Sequence, residues 1–374
     1  MRIGITCYPV AGGSGIVATE LGHKLAERGH QVHFISYALP FRLDRFQPNL
    51  FFHGVETTAY PLFKHPPYTL ALATKMAEVA CENELEILHV HYAIPHATCA
   101  FLAKQLVTCK KPKIITTLHG TDITLVGSDP SYFDITKFSI EASDGITAVS
   151  KYLADETIEI FEIDRKIRVI HNFFDDRRFS PQTDQCCKRH VFAKPTEFII
   201  SHLSNFRPVK RTLDVIAVFD RIQKELPAKL MLIGEGPDAI LARRQVKKRG
   251  LKDKVTFLGN QDRVEAILPL SDLFLLPSED ESFGLAALEA LACGVPVIGT
   301  TNTGLVEVVS HGIDGFLFPV GDTAAMAEAA IGLLADREQL NRFKAEAASL
   351  ALQRFNADKI IDEYERYYEE VLHG

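Results

Sequence analysis

The sequence predicts an α/β protein with two Rossmann-like, doubly wound parallel-sheet domains. Short apolar runs alternate with helical segments along most of the chain, and glycine-containing turns follow several of these runs. The alternation stops once, at residues 173–195, and then restarts, which indicates two units. The 374 residues also suit two domains better than one. If both halves serve one ligand site, the carboxyl ends of their strands must face a central cleft.

The interruption also gives the domain boundaries. We predict a first domain at 1–172, a linker at 173–195 and a second domain at 196–355. The linker combines mixed charge and turn-forming residues with no hydrophobic periodicity, which is typical of a connecting segment. The segment at 357–372 is amphipathic and predicts a final helix.

Composition and charge exclude several functional classes. A hydrophobic content of 47% and a charged content of 24% are typical of a soluble globular protein. The net charge of −7 argues against a nucleic-acid partner held by general phosphate attraction. The basic run at 243–249 lies on a predicted helix, and we interpret it as a solvated face rather than a membrane or polyanion site.

The cysteines and the N-terminus favour a cytoplasmic protein. Seven scattered cysteines show no C-x2-C spacing, so the sequence indicates neither a disulfide framework nor a zinc site. The chain enters a strand at Arg2 without a charged leader and an apolar signal core. No apolar run approaches the roughly 18 residues of a membrane span, so we expect no membrane partner.

The first half opens with a strand, a glycine loop and a helix. The strand Arg2–Cys7 leads into Gly12-Gly13-Ser14-Gly15, and a helix is predicted from Ile16 to about Arg28. The loop lacks the Gly-Lys-Ser/Thr of a Walker motif and the G-x-G-x-x-G spacing of a dinucleotide site. It therefore indicates a place for an anion or for close approach of substrate, although a tight turn alone would also need glycines.

Histidines follow or occupy two later strands of this half. His89 and His91 share one face of the strand Ile87–His91, but no carboxylate accompanies them at ligand spacing, so we predict no metal site. His119 differs, because it comes just after the strand Lys113–Leu118, at the edge where sheets of this class bind ligands. The sequence thus predicts a substrate role for His119. In the same half, residues 38–68 show no regular pattern.

Two glutamates in the second half mark its candidate site. Glu281 lies in the turn after the buried strand Leu273–Leu276, and Glu289 lies on a helix predicted from Phe283 to Cys293. An ionised carboxylate only accepts hydrogen bonds, so such a pair suits the vicinal hydroxyls of a ribose or a hexose. The simpler alternative is that Glu281 complements the helix dipole.

A cationic cluster follows another strand of the same half. Arg207, Lys210 and Arg211 come shortly after the strand at 197–202, where they could bind a diphosphate. Cations oppose the dipole at a helix N-terminus unless an anion is present, which favours this interpretation. Asn302 and Gly304 offer backbone approach to the same phosphate. No Asp-x-Asp stands where it would hold a divalent metal, so we expect no metal or other cofactor.

These stretches resemble the retaining GT-B glycosyltransferases of family 4. The second half carries "S-N-F-R-P-V-K-R", "E-S-F-G-L" and "E-A-L-A-C-G-V-P-V-I", and the first half carries "H-V-H-Y-A-I-P-H-A" and "T-T-L-H-G-T-D-I-T". The first-half stretches are similar to the family members of bacillithiol biosynthesis. The resemblance implies transfer of N-acetylglucosamine (GlcNAc) from UDP-GlcNAc to the hydroxyl of L-malate, with retention and without an essential metal. It also implies that the C-terminal helix at 356–374 joins the first domain, and a homodimer is a possible assembly.

The resemblance also implies site residues, position by position. Catalytic roles fall on His119, Glu281, Lys210 and Arg207. Donor binding falls on Gly15, Asn205, Arg207, Lys210, Arg211, Glu281, Ser282, Phe283, Gly284 and Glu289. Acceptor binding falls on Gly13, Ser14, Tyr92, Thr117, His119, Thr121 and Asn205. The chain departs from its relatives at Gly304-Leu305, where they have a Gly-Gly pair, and at Asn205, where the wider family often has arginine.

Four other functions remain open from the residues. A sugar-nucleotide epimerase or hydrolase of the same fold would release free sugar without malate, and another small acceptor could replace malate. A dinucleotide oxidoreductase is disfavoured, because no acid follows Tyr37 at the end of the second strand. A non-catalytic sensor would bind UDP-GlcNAc without turnover.

Overall fold

The computed structural model describes residues 1–10, 12–44, 46–57, 62, 64–181 and 189–374. The chain divides into two compact units, Met1–Asn172 with Ala357–Gly374, and Phe173–Asn356. The described parts of the segment predicted as a linker are counted within the second unit. Residues 182–188 of that segment, with Cys186 and Cys187, lie outside the described residues.

The first unit is organised around a sheet of seven parallel strands. They are β1 (Arg2–Thr6), β2 (Gln31–Ser36), β3 (Leu50–Gly54), β4 (Ile87–His91), β5 (Lys113–Leu118), β6 (Gly145–Ala148) and β7 (Arg168–Val169). Their order is β3-β2-β1-β4-β5-β6-β7, and every adjacent pair is parallel. The strand order reverses between β1 and β4, which is the point where ligands bind in sheets of this type.

Helices cover this sheet, and one of them comes from the far end of the chain. They are α1 (Gly13–Glu27), α2 (Tyr68–Glu82), α3 (Thr98–Leu106), α4 (Phe133–Glu141), α5 (Lys151–Phe161) and, as the last element of the chain, α11 (Ala357–His373). Helix α11 inserts Tyr364 and Tyr368 into the first unit, where both are buried. It also pairs Glu365 with Arg28 at 2.6 Å and with His30 at 2.7 Å.

The second unit repeats the design with six parallel strands. They are β8 (Phe198–Leu203), β9 (Ala228–Ile233), β10 (Val255–Gly259), β11 (Leu273–Leu276), β12 (Val297–Thr300) and β13 (Gly315–Phe318). The order is β10-β9-β8-β11-β12-β13, so the reversal lies between β8 and β11. The helices are α6 (Thr212–Glu225), α7 (Ala239–Lys248), α8 (Leu285–Ala292), α9 (Thr323–Ala335) and α10 (Arg337–Phe355). All strand pairs are parallel, and the inner strands are buried on both faces.

Several elements differ from the sequence-based expectation. Strand β3 lies in the region predicted to be irregular; it is a half-exposed edge strand, so its apolar residues show no clean alternation. Helix α4 was not predicted, because Ile135 and Phe138 are exposed and mark no buried stripe. After β12 the chain forms no long helix at Leu305: Gly304–Glu307 is a single 3-10 turn, and strand β13 follows it.

The cysteine expectation also needs correction. Cys81, at the end of α2, and Cys109, in the loop after α3, form a disulfide. The sequence separation of 28 gave no signal, because the pairing depends on α2 and α3 packing side by side. Cys7, Cys99 and Cys293 are buried free thiols. In the described residues, no helix combines the length and apolar character needed to cross a membrane.

Candidate functional site

The glycine loop after β1 forms the start of α1, at the reversal point of the first sheet. The helix begins at Gly13, and no side chain caps its N-terminus at Gly12. Gly15 packs against backbone: a Cβ there would lie 2.7 Å from the carbonyl oxygens of Tyr8 and Val10. The glycines thus serve a tight turn, and the same turn leaves the first-turn N–H groups at the carboxyl edge of the sheet.

Tyr92 connects this loop to the end of β4. Its backbone has a φ of 95°, a left-handed conformation that costs free energy in a non-glycine residue and is frequent at functional sites. The Ser14 hydroxyl donates to the Tyr92 hydroxyl at 3.2 Å. The Tyr92 ring lies over His119, with centroids 5.5 Å apart, and the Tyr92 N–H donates to the Thr117 carbonyl at 3.0 Å. Predicted acceptor residues from three segments therefore meet here.

His119 is held as a neutral imidazole. Its Nε2 lies 2.8 Å from Nδ1 of His91, and the two rings stack. Burial, with a smaller contribution from His96, lowers the pKa of His119 to about 3. At neutral pH the ring is therefore uncharged and can donate one hydrogen bond and accept one, but it cannot neutralise an anion.

Asp122 organises the backbone around His119, although the sequence analysis assigned it no role. One carboxylate oxygen accepts from the N–H of His119 at 3.1 Å and of Gly120 at 2.9 Å, and the other accepts from the N–H of Ala93 at 2.9 Å. Burial raises the pKa of Asp122 to about 6, against the opposing effect of these three donors. An aspartate three residues after a strand-end histidine was the available signal.

The two predicted threonines lie in different surroundings. The Thr117 hydroxyl is buried and lies 2.6 Å from both His89 Nε2 and the Thr147 hydroxyl. The hydroxyl faces this buried group rather than an open surface, so it is not placed to contact the acceptor directly. Thr121 is half-buried in the turn that follows β5.

In the second unit, Lys210 and Glu281 form an ion pair across the reversal point. Lys210 Nζ lies 2.7 Å from Glu281 Oε1, and the Ser278 hydroxyl donates to the same oxygen at 2.8 Å. His202, on β8 below the pair, has a pKa lowered to about 4, first by burial. The pairing joins the turn after β8 to the turn after β11, which are neighbours in the sheet but 71 residues apart in sequence.

The three predicted cations have different partners. Arg211 is engaged with Asp214, its Nε donating to that carboxylate at 2.7 Å. Lys210 is paired with Glu281, whereas among the described residues the Arg207 side chain has no ion pair or hydrogen bond, and its carbonyl accepts from the Lys210 N–H at 2.8 Å. Asn205 is exposed two residues before Arg207. Arg207 is therefore the cation of this loop that is available to an incoming anion.

The turn before α8 is shaped by close backbone contacts. Gly284 has a φ of +94°, and the N–H of Gly304 donates to the Glu281 carbonyl at 2.7 Å. Leu305 is fully buried in space that Gly284 and Gly299 leave open: Cβ atoms there would lie 2.7 and 2.3 Å from its methyl groups. The turn thus accommodates the leucine side chain.

The remaining predicted donor residues lie in or beside this turn. Ser282 is half-buried, and Phe283 is buried with its ring packed edge-on against Phe355 at 5.5 Å, so only its backbone can face a ligand. Glu289 lies on α8, eight residues after Glu281, and is 5% exposed. An ionised carboxylate only accepts hydrogen bonds, so this side chain is chemically suited to ligand hydroxyls.

Together these groups offer neutral donors and acceptors in the first unit, and paired carboxylates with cations in the second. The second set fits a diphosphate joined to a sugar, since Arg207 and Lys210 are anion binders and Glu281 and Glu289 accept from hydroxyls. The described residues contain no group of three or more histidine, cysteine, aspartate or glutamate side chains placed to hold a metal ion.

Comparison with known proteins defines the class. The family model described as Glycosyltransferase Family 4 matches residues 11–178, and the model described as Glycosyl transferases group 1 matches residues 188–350. The chain belongs to the GT-B glycosyltransferases of family 4. It is 50% identical over 372 residues to the N-acetyl-alpha-D-glucosaminyl L-malate synthase of Bacillus anthracis, an alignment that covers 100% of this chain and 97% of that protein.

A more distant relative agrees on the class, and solved structures share the fold. A D-inositol 3-phosphate glycosyltransferase of Mycolicibacterium smegmatis is 31% identical over 61% of this chain and 54% of its own length. The crystal structure of Anabaena Alr3699/HepE in complex with UDP and glucose matches with a TM-score of 0.83 at 18% identity, covering 98% of this chain and 99% of that one. Sucrose-phosphate synthase from Thermosynechococcus elongatus gives 0.81 at 22% identity, covering 99% and 98%. The predicted GT-B fold is confirmed.

Proposed function

We propose that this glycosyltransferase moves GlcNAc from UDP-GlcNAc to the hydroxyl of L-malate, as the first step of bacillithiol biosynthesis. The observation that carries the proposal is the 50% identity to the Bacillus anthracis malate synthase, which extends over the whole chain. The alignment spans both units, so it covers the segments that carry the predicted acceptor residues as well as those that carry the predicted donor residues. The acceptor residues are what distinguish one enzyme of this class from another.

The donor is assigned to the second unit. In this proposal, Glu289 binds the ribose hydroxyls and Glu281 binds hydroxyls of the sugar. Arg207 and Lys210 bind the diphosphate, and backbone at Ser282 to Gly284 lies against the sugar. The ion pair between Lys210 and Glu281 supports this division, because it holds a cation and a carboxylate 2.7 Å apart, matching the adjacent diphosphate and sugar.

The acceptor is assigned to the first unit, around Gly13, Ser14, Tyr92 and His119. The neutral His119 suits hydrogen bonding to a hydroxyl group. In the proposed step, the bond between the anomeric carbon and the β-phosphate oxygen breaks, and a bond from that carbon to the malate oxygen forms on the same face. The leaving phosphate oxygen takes the malate hydroxyl proton, and the cations stabilise the charge on the leaving UDP.

We further propose that the reaction needs no metal or other cofactor, because Arg207 and Lys210 can supply the positive charge that a divalent ion supplies elsewhere. Retention of configuration, a cytoplasmic location and a homodimer remain predictions. An assay in buffer with EDTA checks whether the reaction needs a metal. Loss of turnover that added Mg²⁺ restores would contradict the proposal that it needs none.

The direct test is a competition among acceptors. The purified chain is incubated with UDP-GlcNAc and a panel of L-malate, inositol phosphate and cysteine, and products are identified by mass spectrometry. We expect a GlcNAc adduct of malate, with an α-anomeric signal by NMR. Transfer to inositol phosphate instead would favour the activity of the more distant relative. Free GlcNAc or ManNAc without malate would favour a hydrolase or an epimerase.

A further inference from the structure

A stripe of buried polar side chains crosses the face of the first sheet that α11 covers. His89 and His91 lie on β4, and their register partners lead across to Thr117 on β5 and Thr147 on β6. All four are fully buried. Polar groups in the middle of a doubly wound core are expensive unless fully hydrogen-bonded, and this position would normally be apolar.

Two tyrosines of α11 contribute hydroxyl groups to this stripe. The Tyr368 hydroxyl lies 2.7 Å from His89 Nδ1, and His89 Nε2 lies 2.6 Å from the Thr117 hydroxyl. The Tyr364 hydroxyl interacts with Thr117 and Thr147, which opposes the rise in the pKa of Tyr364 that burial causes. The last helix of the chain therefore supplies hydroxyl groups that neither β4 nor β5 could provide.

The stripe leads to the acceptor group through stacked imidazoles. The His89 ring lies 4.6 Å from the His91 ring, and His91 Nδ1 lies 2.8 Å from His119 Nε2. Tyr92 covers His119 from the other side, and its N–H is held by the carbonyl of Thr117. Displacement of Thr117 or His89 would thus reach both the imidazole and the tyrosine proposed to contact the acceptor.

We infer that Tyr364 and Tyr368 of α11 are positioning residues for the acceptor, acting on His119 and Tyr92 through His89 and Thr117. This inference rests on the proposed function only for the identity of the acceptor. It assigns to Thr117 a role in holding the site rather than in touching malate. It also makes the end of the chain part of the acceptor machinery.

A matched control lies on the same helix. The Tyr367 hydroxyl accepts from the N–H of Ile146 at 2.8 Å and lies 3.1 Å from the Ile146 carbonyl, so it also docks α11 on the first unit. No hydrogen bond links it to the histidines. Tyr367→Phe and Tyr368→Phe each remove one hydroxyl from one helix, so both lower thermal stability. Only Tyr368→Phe removes a bond that leads to His119.

The kinetic arm measures initial rates against malate at saturating UDP-GlcNAc, with donor affinity from calorimetry. For Tyr368→Phe we expect the KM for malate to rise about 3- to 10-fold, as for one buried hydrogen bond, with donor affinity unchanged. Tyr367→Phe should leave both constants at the wild-type value. Thr147→Val, which removes a second partner of Thr117, should resemble Tyr368→Phe. Equal kinetic effects of Tyr367→Phe and Tyr368→Phe, or none from either, would overturn the inference.

A spectroscopic arm does not depend on the acceptor. Long-range proton–nitrogen correlation spectra of protein labelled with 15N-histidine report the tautomer and hydrogen bonding of each ring. Tyr368→Phe should shift the ring-nitrogen signals of His89 and His119, while Tyr367→Phe should leave His119 unchanged. If the wild-type protein does not use malate but the variants show these shifts in the histidine signals, the proposed function is refuted and the inference still holds. An unchanged His119 in Tyr368→Phe would refute the inference alone.

Discussion

The sharpest test of the donor assignment replaces Glu281 by glutamine. The change keeps the shape of the side chain and removes its charge. Two contacts converge on Oε1 in the structure, from Lys210 at 2.7 Å and from Ser278 at 2.8 Å. The variant therefore separates two proposed roles: direct binding of the sugar, and restraint of the cation that binds the diphosphate.

The magnitude follows from the geometry of the pair. Two unit charges 2.7 Å apart attract by about 6 kcal/mol at an effective dielectric constant of about 20. The side chains are 21% and 11% exposed, so desolvation and water screening reduce the net value to the order of 1 kcal/mol. Freed from this partner, Lys210 should bind UDP as tightly as before or up to about 5-fold more tightly.

UDP-GlcNAc should respond in the opposite direction. Loss of hydrogen bonds from sugar hydroxyls to a charged acceptor costs about 1.5–3 kcal/mol, or roughly 10- to 100-fold. Calorimetric titration of wild type and Glu281→Gln with UDP and with UDP-GlcNAc measures the ratio of the two dissociation constants. Ser278→Ala is the control, since it removes the other contact of Oε1 and keeps the charge. An equal change for both ligands would refute the assignment of Glu281 to the sugar.

Three further predictions follow from the same structure. Glu289→Ala should weaken UDP and UDP-GlcNAc alike by roughly 10- to 100-fold, because the proposed ribose contact is common to both; an unchanged titration would contradict it. Arg207→Ala should weaken UDP binding more than Arg211→Ala, because the Arg211 guanidinium is engaged with an aspartate. The reverse order of affinities by calorimetry would assign the diphosphate to Arg211 instead. Burial lowers the pKa of His89 to about 3 and of His96 to about 4, so the unfolded state binds protons first as pH falls below 6.5. Each ring should lower the free energy of unfolding by about 2 kcal/mol between pH 7 and pH 5. Urea titrations that give the same free energy of unfolding across this range would refute the prediction.

The sequence predicted the class, and it located candidate site residues where the signal was local. Glu281 and Glu289 could be placed because a buried strand, a turn and a helix follow one another within a single stretch. The Lys210–Glu281 pair could not be predicted, since it depends on β8 lying beside β11, a long-range pairing. A turn residue can be located from its own neighbours, whereas its partner requires the sheet order.

The surroundings of two other residues could not be predicted, for a similar reason. Thr117 lies at the end of a strand, where alternate residues face opposite sides of the sheet, and the pattern alone does not say which side carries the ligand. Its hydroxyl faces α11, an element more than 200 residues away that the strand gives no hint of. Leu305 fills space left by Gly284 and Gly299, which only the folded turn reveals.

The contribution of α11 to the first unit has a consequence for how the polypeptide is made. During translation the ribosome releases residues 1–172 long before Ala357–Gly374, yet those last residues complete the earlier unit. The buried positions of Tyr364 and Tyr368 can be filled only after the other unit has been synthesised. The second unit can therefore fold to completion before the first. A gene fragment ending at Asn172 encodes a first unit without its terminal helix, and Ala357–Gly374 would have to be fused to its end to complete it.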